Sequence, residues 1–112
     1  MSSIRLEKVN GLLQKELSII FQRKSKEHFG GLFITVTVVR VSPDMGAAKA
    51  YLSIMDKVDK KAVVKEINER SGLIRKYLGE SVGKQLRRTP ELFFYLDDSL
   101  DYAQKINELL DS

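Results

Sequence analysis

The chain has 112 residues, 43% hydrophobic and 30% charged, enough for one self-supporting core and too apolar for a disordered polyelectrolyte. It contains no cysteine, which excludes a disulfide framework, a thiolate metal site and a thiol nucleophile. The net charge of +4 is unevenly spread: residues 91–112 hold one base and six acids, a net of −5, whereas residues 1–90 hold 18 bases and nine acids, a net of +9. A basic body followed by an acidic end suggests one positive face for a polyanion.

In chain order, Leu6, Val9, Leu13, Leu17 and Ile20 recur at spacings of three and four and predict an amphipathic first helix. Leu12, Ile19 and Phe21 widen its stripe, Ser2 or Ser3 can cap it, and Gly30-Gly31 ends it. Residues 32–41 are dense in Val, Ile and Thr and predict a strand with Ile34, Val36 and Val38 on one face and Thr35, Thr37 and Val39 on the other. Ser42-Pro43-Asp44-Met45-Gly46 reads as a turn, with glycine tolerating positive φ. Residues 48–55 form the return strand, with Ala48, Ala50, Leu52 and Ile54 on one face and Lys49, Tyr51 and Ser53 on the other.

Asp59 is the expected N-cap of a helix over residues 60–71, with Val63, Val64 and Ile67 inward. Gly72 interrupts the pattern and suggests a bend or a close approach. The pattern resumes with Leu73, Ile74, Tyr77, Leu78 and Val82, and the helix ends before Pro90. Residues 92–96 predict a third strand, and Asp97-Asp98-Ser99 a cap for a last helix carrying Tyr102, Ala103, Ile106, Leu109 and Leu110. The expectation is one α+β domain over residues 1–112, in the order α-β-β-α-α-β-α, with helices on one face of a three-stranded sheet. No signal peptide, membrane span, linker or repeat is evident, so the expected setting is the cytoplasm.

The search for catalysis finds little. His28 is the only histidine and reads as a solvated side chain near a helix C-terminus, without partners for a metal or a triad. Asp97, Asp98 and Asp101 suit the positive end of a helix dipole. Gly79-Glu80-Ser81-Val82-Gly83 is not followed by the Lys-Ser or Lys-Thr of a phosphate loop. The expectation is therefore no enzyme, no cofactor, no metal and no small-molecule substrate.

The binding signal is stronger. Arg70, Arg75, Lys76, Lys84, Arg87 and Arg88 fall within nineteen residues, opposed only by Glu80. Arg75 and Lys76 sit near the start of the second helix of the pair; Lys84, Arg87 and Arg88 sit near its end. Such a cluster can line up along phosphates. The first helix adds further bases, among them Lys8 and Lys15, partly offset by Glu7, Glu16 and Glu27. Charge clustering thus assigns RNA-phosphate contacts to the six, with secondary contacts from Lys8, Lys15 and Lys49. Tyr51 and Tyr77 have the ring chemistry to stack on unpaired bases, although partial core packing is the favoured reading for both.

Two ordered stretches carry a family likeness. The first runs Ile34-Thr35-Val36-Thr37-Val38-Val39-Arg40-Val41-Ser42-Pro43-Asp44-Met45 and continues into Ala48-Lys49-Ala50-Tyr51-Leu52-Ser53. The second runs Gly72-Leu73-Ile74-Arg75-Lys76-Tyr77-Leu78, then Leu86-Arg87-Arg88-Thr89-Pro90-Glu91-Leu92-Phe93-Phe94, with Asp97-Asp98-Ser99 and Ile106-Asn107-Glu108-Leu109-Leu110. Together they resemble the ribosome-binding factor A family across nearly the whole chain, and Arg87 to Phe94 is the most specific piece. The resemblance implies a type II KH-like fold in which a helix kink of Ala-x-Gly type replaces the Gly-x-x-Gly loop. The matching positions here are Arg70-Ser71-Gly72, placing the kink at Ser71 and Gly72. It also implies a non-catalytic ribosome biogenesis factor that binds the free small (30S) ribosomal subunit and assists late maturation and processing of 16S rRNA; nothing in the sequence demands a dimer, so a monomer is expected. The competing readings are another KH-like RNA-binding protein, ribosomal or regulatory, and a protein-interaction module.

Overall fold

A computed structural model describes residues 3–97. In chain order the elements are α1 (Ser3–His28), β1 (Ile34–Val41), β2 (Ala47–Ile54), α2 (Lys60–Glu69), α3 (Ser71–Val82) and β3 (Glu91–Leu96). The strands form one sheet in the order β1-β2-β3, antiparallel between β1 and β2 and parallel between β2 and β3. This is the expected α+β, KH-like order as far as Leu96; the last helix expected after Asp97 lies outside the described residues.

The core forms where the apolar stripes meet one face of the sheet. Val9, Leu13, Leu17, Ile20 and Phe21 of α1, Val64 and Ile67 of α2, and Ile74, Leu78 and Val82 of α3 are all buried. They pack on Ala48, Ala50, Leu52 and Ile54 of β2 and on Leu92 and Phe94 of β3. The Phe21 ring meets Phe94 edge-on, with centroids 5.7 Å apart, and Phe29 at 5.6 Å. Asp59 caps α2 as expected, its side chain accepting from the Ala62 N–H.

β1 departs from simple alternation. Val36 pairs with Leu52 but Val38 pairs with Tyr51, so a bulge at Thr37 inserts one extra residue. Beyond a bulge the faces exchange, so Val39, expected on the face of Thr35 and Thr37, is buried in the core with Ile34 and Val36, and Val38, expected beside those two, is only half-buried on the outer face. The hairpin turn holds a second difference. Met45, rather than Gly46, adopts positive φ, at 60°. Asp44 supports this turn by accepting from the Ser42 hydroxyl and the Gly46 N–H. Those bonds, the Ser42 one foremost, hold its carboxyl below the usual range.

Side-chain amides cap part of each sheet edge. On the β1 edge, Gln14 donates to the Val36 and Thr37 carbonyls and Asn10 accepts from the Val41 N–H. On the β3 edge, Asn68 donates to the Phe94 carbonyl and accepts from its N–H, both at 2.8 Å. Edge strands otherwise offer a row of unpaired backbone groups to other chains.

The break between α2 and α3 falls at Arg70, where φ is −104° and ψ 17°, and not at Ser71 and Gly72 as expected. Those two residues already lie in the first turn of α3. The Arg70 carbonyl accepts from the N–H groups of Leu73 and Ile74, so the new helix starts before the glycine. A Cβ added at Gly72 would meet nothing within 4 Å, which removes the close-approach reading as well. The close approach is at Gly79, where a Cβ would lie 3.1 Å from the Thr89 Oγ1.

Two outcomes follow for urea-denaturation stability. Asn68→Ala leaves two backbone groups of the buried Phe94 without their partner and is expected to cost about 1–3 kcal/mol; a loss within error would show that water replaces the amide. Gly72→Ala is expected to stabilise by about 0.5–1 kcal/mol through helix propensity, whereas in Gly79→Ala the contact with Thr89 offsets that gain. Destabilisation by Gly72→Ala would restore a packing role to that glycine.

Candidate nucleic-acid interface

The chain between β2 and β3 must return to the end of the sheet from which β2 started, because the two strands are parallel. The α2–α3 pair and residues 83–90 make that return. The Glu91 N–H then donates to the Gly46 carbonyl, which fixes the end of this connection beside the β1–β2 turn. Residues 83–90 carry Lys84, Arg87 and Arg88. These three were expected on α3 itself, but the helix ends at Val82 and they lie on the connection that follows it.

The six clustered cations have different surroundings. Arg75 donates twice to the Thr89 carbonyl, at 3.2 and 2.7 Å, and so ties α3 to the connection. Arg70 donates to the His28 carbonyl at 2.9 Å and lies 3.4 Å from Glu66, clasping the end of α1 to the helix junction. Arg88 is electrostatically coupled to Asp44 in the hairpin turn, a lesser contribution to the lowering of that carboxyl. Lys76, Lys84 and Arg87 are exposed and have no side-chain partner among the described residues. An open groove of about 380 Å³ runs over Gly72, Arg75, Lys76, Gly79 and Thr89. Its floor is low because two glycines bring the α3 backbone to the surface, and its walls are cationic.

The three secondary candidates do not join this cluster. Lys8 and Lys15 are exposed on α1, two helical turns apart, on the side opposite its buried stripe. Lys49 lies on the outer face of the sheet, between the buried Ala48 and Ala50, with the whole sheet between it and the helices. Of the two tyrosines, Tyr77 is occupied: its hydroxyl lies 3.3 Å from His28 Nε2, and the Lys24 ammonium sits 4.8 Å over its ring. Tyr51 instead stacks on Tyr95 on the outer face. No group of three or more His, Asp or Glu side chains suited to a metal occurs among the described residues, and none of their helices is long and apolar enough to cross a membrane.

Sequence reasoning found the cationic cluster but could not separate cations held by backbone carbonyls from those left exposed. The Arg75–Thr89 bond is a contact between helix and connection, and only the chain's return path creates it. It also left Phe93 and Tyr95 without a face, as members of a third strand over residues 92–96. Period-two alternation through Leu92 and Phe94 was the available signal that their neighbours face outward.

The comparisons agree with this architecture. Residues 5–110 match the sequence model of the family Ribosome-binding factor A. A ribosome-binding factor A from Cytophaga hutchinsonii is 49% identical over 110 residues, 98% of this chain and 83% of that protein. The crystal structure of ribosome-binding factor A from Thermus thermophilus superposes with a TM-score of 0.68 at 19% identity, covering 81% of this chain and 94% of that one. A homology model of the Thermus thermophilus protein, fitted into a cryo-EM map of its complex with 30S, gives a TM-score of 0.63 at 21% identity and covers 80% and 91%. A family match over almost the full length, a half-identical relative and a shared fold together establish that this chain belongs to the ribosome-binding factor A family.

Proposed function

We propose that this chain is a ribosome assembly factor that binds the free small ribosomal subunit through the α3 groove and the connection after it, and assists late maturation and processing of 16S rRNA without catalysing a step itself. The observation that carries the reading is a groove walled by Arg75 and Lys76 and floored by helix backbone, with the exposed cations Lys84 and Arg87 on the connection that follows α3. Such a surface takes phosphates, because cations without a carboxylate partner among the described residues are free to neutralise phosphates and release the counterions of the RNA. Family membership, and the 30S complex of the Thermus thermophilus relative, supply the partner.

The mode of action is preferential binding. A rigid cationic surface holds one arrangement of a maturing RNA segment and shifts its population by the difference in affinity between arrangements. Arg70 and Arg75 serve this surface from within: their guanidinium groups fix the helix junction and the connection, and they remain exposed enough to add positive potential. Capping of edge groups by Gln14, Asn10 and Asn68 hinders strand-to-strand self-pairing, which supports a monomer.

The test is the salt dependence of binding to purified small subunits. A Lys76→Ala/Lys84→Ala/Arg87→Ala triple variant is expected to fold as the parent does and to lower the slope of log K against log salt by roughly 0.7–0.9 for each phosphate it leaves unneutralised. An unchanged slope would overturn the phosphate assignment. In cell lysates the parent is expected to sediment with free small subunits and to be absent from translating ribosomes; equal presence on both would argue against an assembly role. Arg75→Ala is expected to reduce stability by about 0.5–1.5 kcal/mol as its bond to Thr89 disappears, whereas Lys76→Ala keeps parental stability.

A further inference from the structure

The face of the sheet turned away from the helices carries an unusual set of side chains. Across the strands, Arg40 pairs with Lys49 and Lys49 with Phe93; in the neighbouring row Val38 pairs with Tyr51 and Tyr51 with Tyr95. The Tyr51 and Tyr95 rings stack with centroids 5.5 Å apart at 30°. Phe93 is 40% and Tyr95 43% exposed, while Leu92 and Phe94 between and beside them fill the core at 2% each. Arg40 and Lys49 are exposed next to the rings. Glu91 starts β3 on this same face, and Asp97, which accepts from the Thr37 hydroxyl, follows its far end.

We propose that this outer face is a second RNA-contacting surface, on which unpaired bases stack over Tyr95, Tyr51 and Phe93 while Arg40 and Lys49 hold the phosphates between them. It rests on the reading that the chain binds ribosomal RNA, and it adds a different kind of contact. The α3 groove meets phosphates; this face offers flat π surfaces, which single-stranded RNA occupies with its bases. Cross-strand aromatic pairing alone explains the Tyr51–Tyr95 stack, because such a pair supports a sheet whatever lies above it. It does not explain Phe93, whose row partner is a lysine rather than another ring, nor two cations placed beside exposed aromatic area. Base stacking with phosphate contacts uses all five side chains. The resulting protein grips an RNA junction from two sides, with paired backbone at the helices and an unpaired segment at the sheet.

The experiment titrates the full chain with a short oligoadenylate, which offers unpaired purines, and follows the aromatic NMR resonances; the absence of tryptophan also leaves tyrosine emission as a direct optical readout. Binding is expected to shift the Tyr51, Tyr95 and Phe93 ring signals upfield. Tyr95→Phe keeps the flat ring and is expected to bind as the parent does. Tyr95→Leu and Phe93→Leu keep apolar bulk but no π face, and are each expected to weaken oligoadenylate roughly five- to 150-fold with the fold retained and the salt slope unchanged, Tyr95→Leu melting slightly lower as its stack on Tyr51 is lost. Lys49→Ala is expected to lower that slope. Leucine variants that bind oligoadenylate as the parent does overturn the proposal, as does binding that perturbs α3 amides without moving the three rings; in both cases the helix-face reading stands. Leucine variants that fail to bind the small subunit although the parent shows no response to oligoadenylate assign the face to a protein partner and overturn it too. A parent chain that binds neither oligoadenylate nor subunit overturns both readings together.

Discussion

Parallel pairing of β3 with β2 is the constraint from which the rest of this molecule follows. Two parallel neighbours cannot be joined by a tight turn, so the chain leaves Ile54, crosses the sheet through α2 and α3, and re-enters at Glu91 beside Ala47. That crossing places α3 next to α1 over one face of the sheet. It also delivers residues 83–90 to the hairpin end, where Thr89 meets Arg75 and the Arg88 charge acts on Asp44. With an antiparallel β3 the connection would end at the opposite end of the sheet, and the cations of α3 and of the connection would be separated.

The same layout gives the molecule two unlike surfaces. Around the α3 groove on the helical side the lining offers a guanidinium and an ammonium over a glycine-lowered backbone, a surface for charge. The sheet side offers rings in register with two cations, a surface for flat π faces. A sheet packed on one face only has no other option than to leave alternate residues open, and what occupies those positions decides what the open face can do. Here they are neither uniformly polar nor uniformly charged.

Arginine also does two jobs. Arg70 and Arg75 donate to backbone carbonyls at the points where α1, the helix junction and the connection meet. A guanidinium can do this and keep its positive potential, because it accepts nothing and cannot discharge. Lys76 and Lys84, which present a compact and more strongly hydrated charge, are exposed without a side-chain partner among the described residues. The division follows from chemistry: a planar fork spans two structural elements, and an ammonium on a flexible stem finds a phosphate.

Local pattern alone determined much here. The α1 stripe, the Asp59 cap, the inward face of β2 and the family likeness carried by Arg87 to Phe94 depend on neighbours within a few residues, and the structure keeps each of them. What only the tertiary structure decided are the features set by residues far apart in the chain. The bulge at Thr37, which turned Val39 inward, is a matter of register against β2, and a run of valines and threonines fits either face equally well. The clasp of the helix junction to α1 is a bond between Arg70 and the carbonyl of His28, 42 residues away. The division of nine candidate cations among helix face, connection and opposite sheet face depends on the crossover, since charge has no periodicity to show which side of a sheet it will occupy.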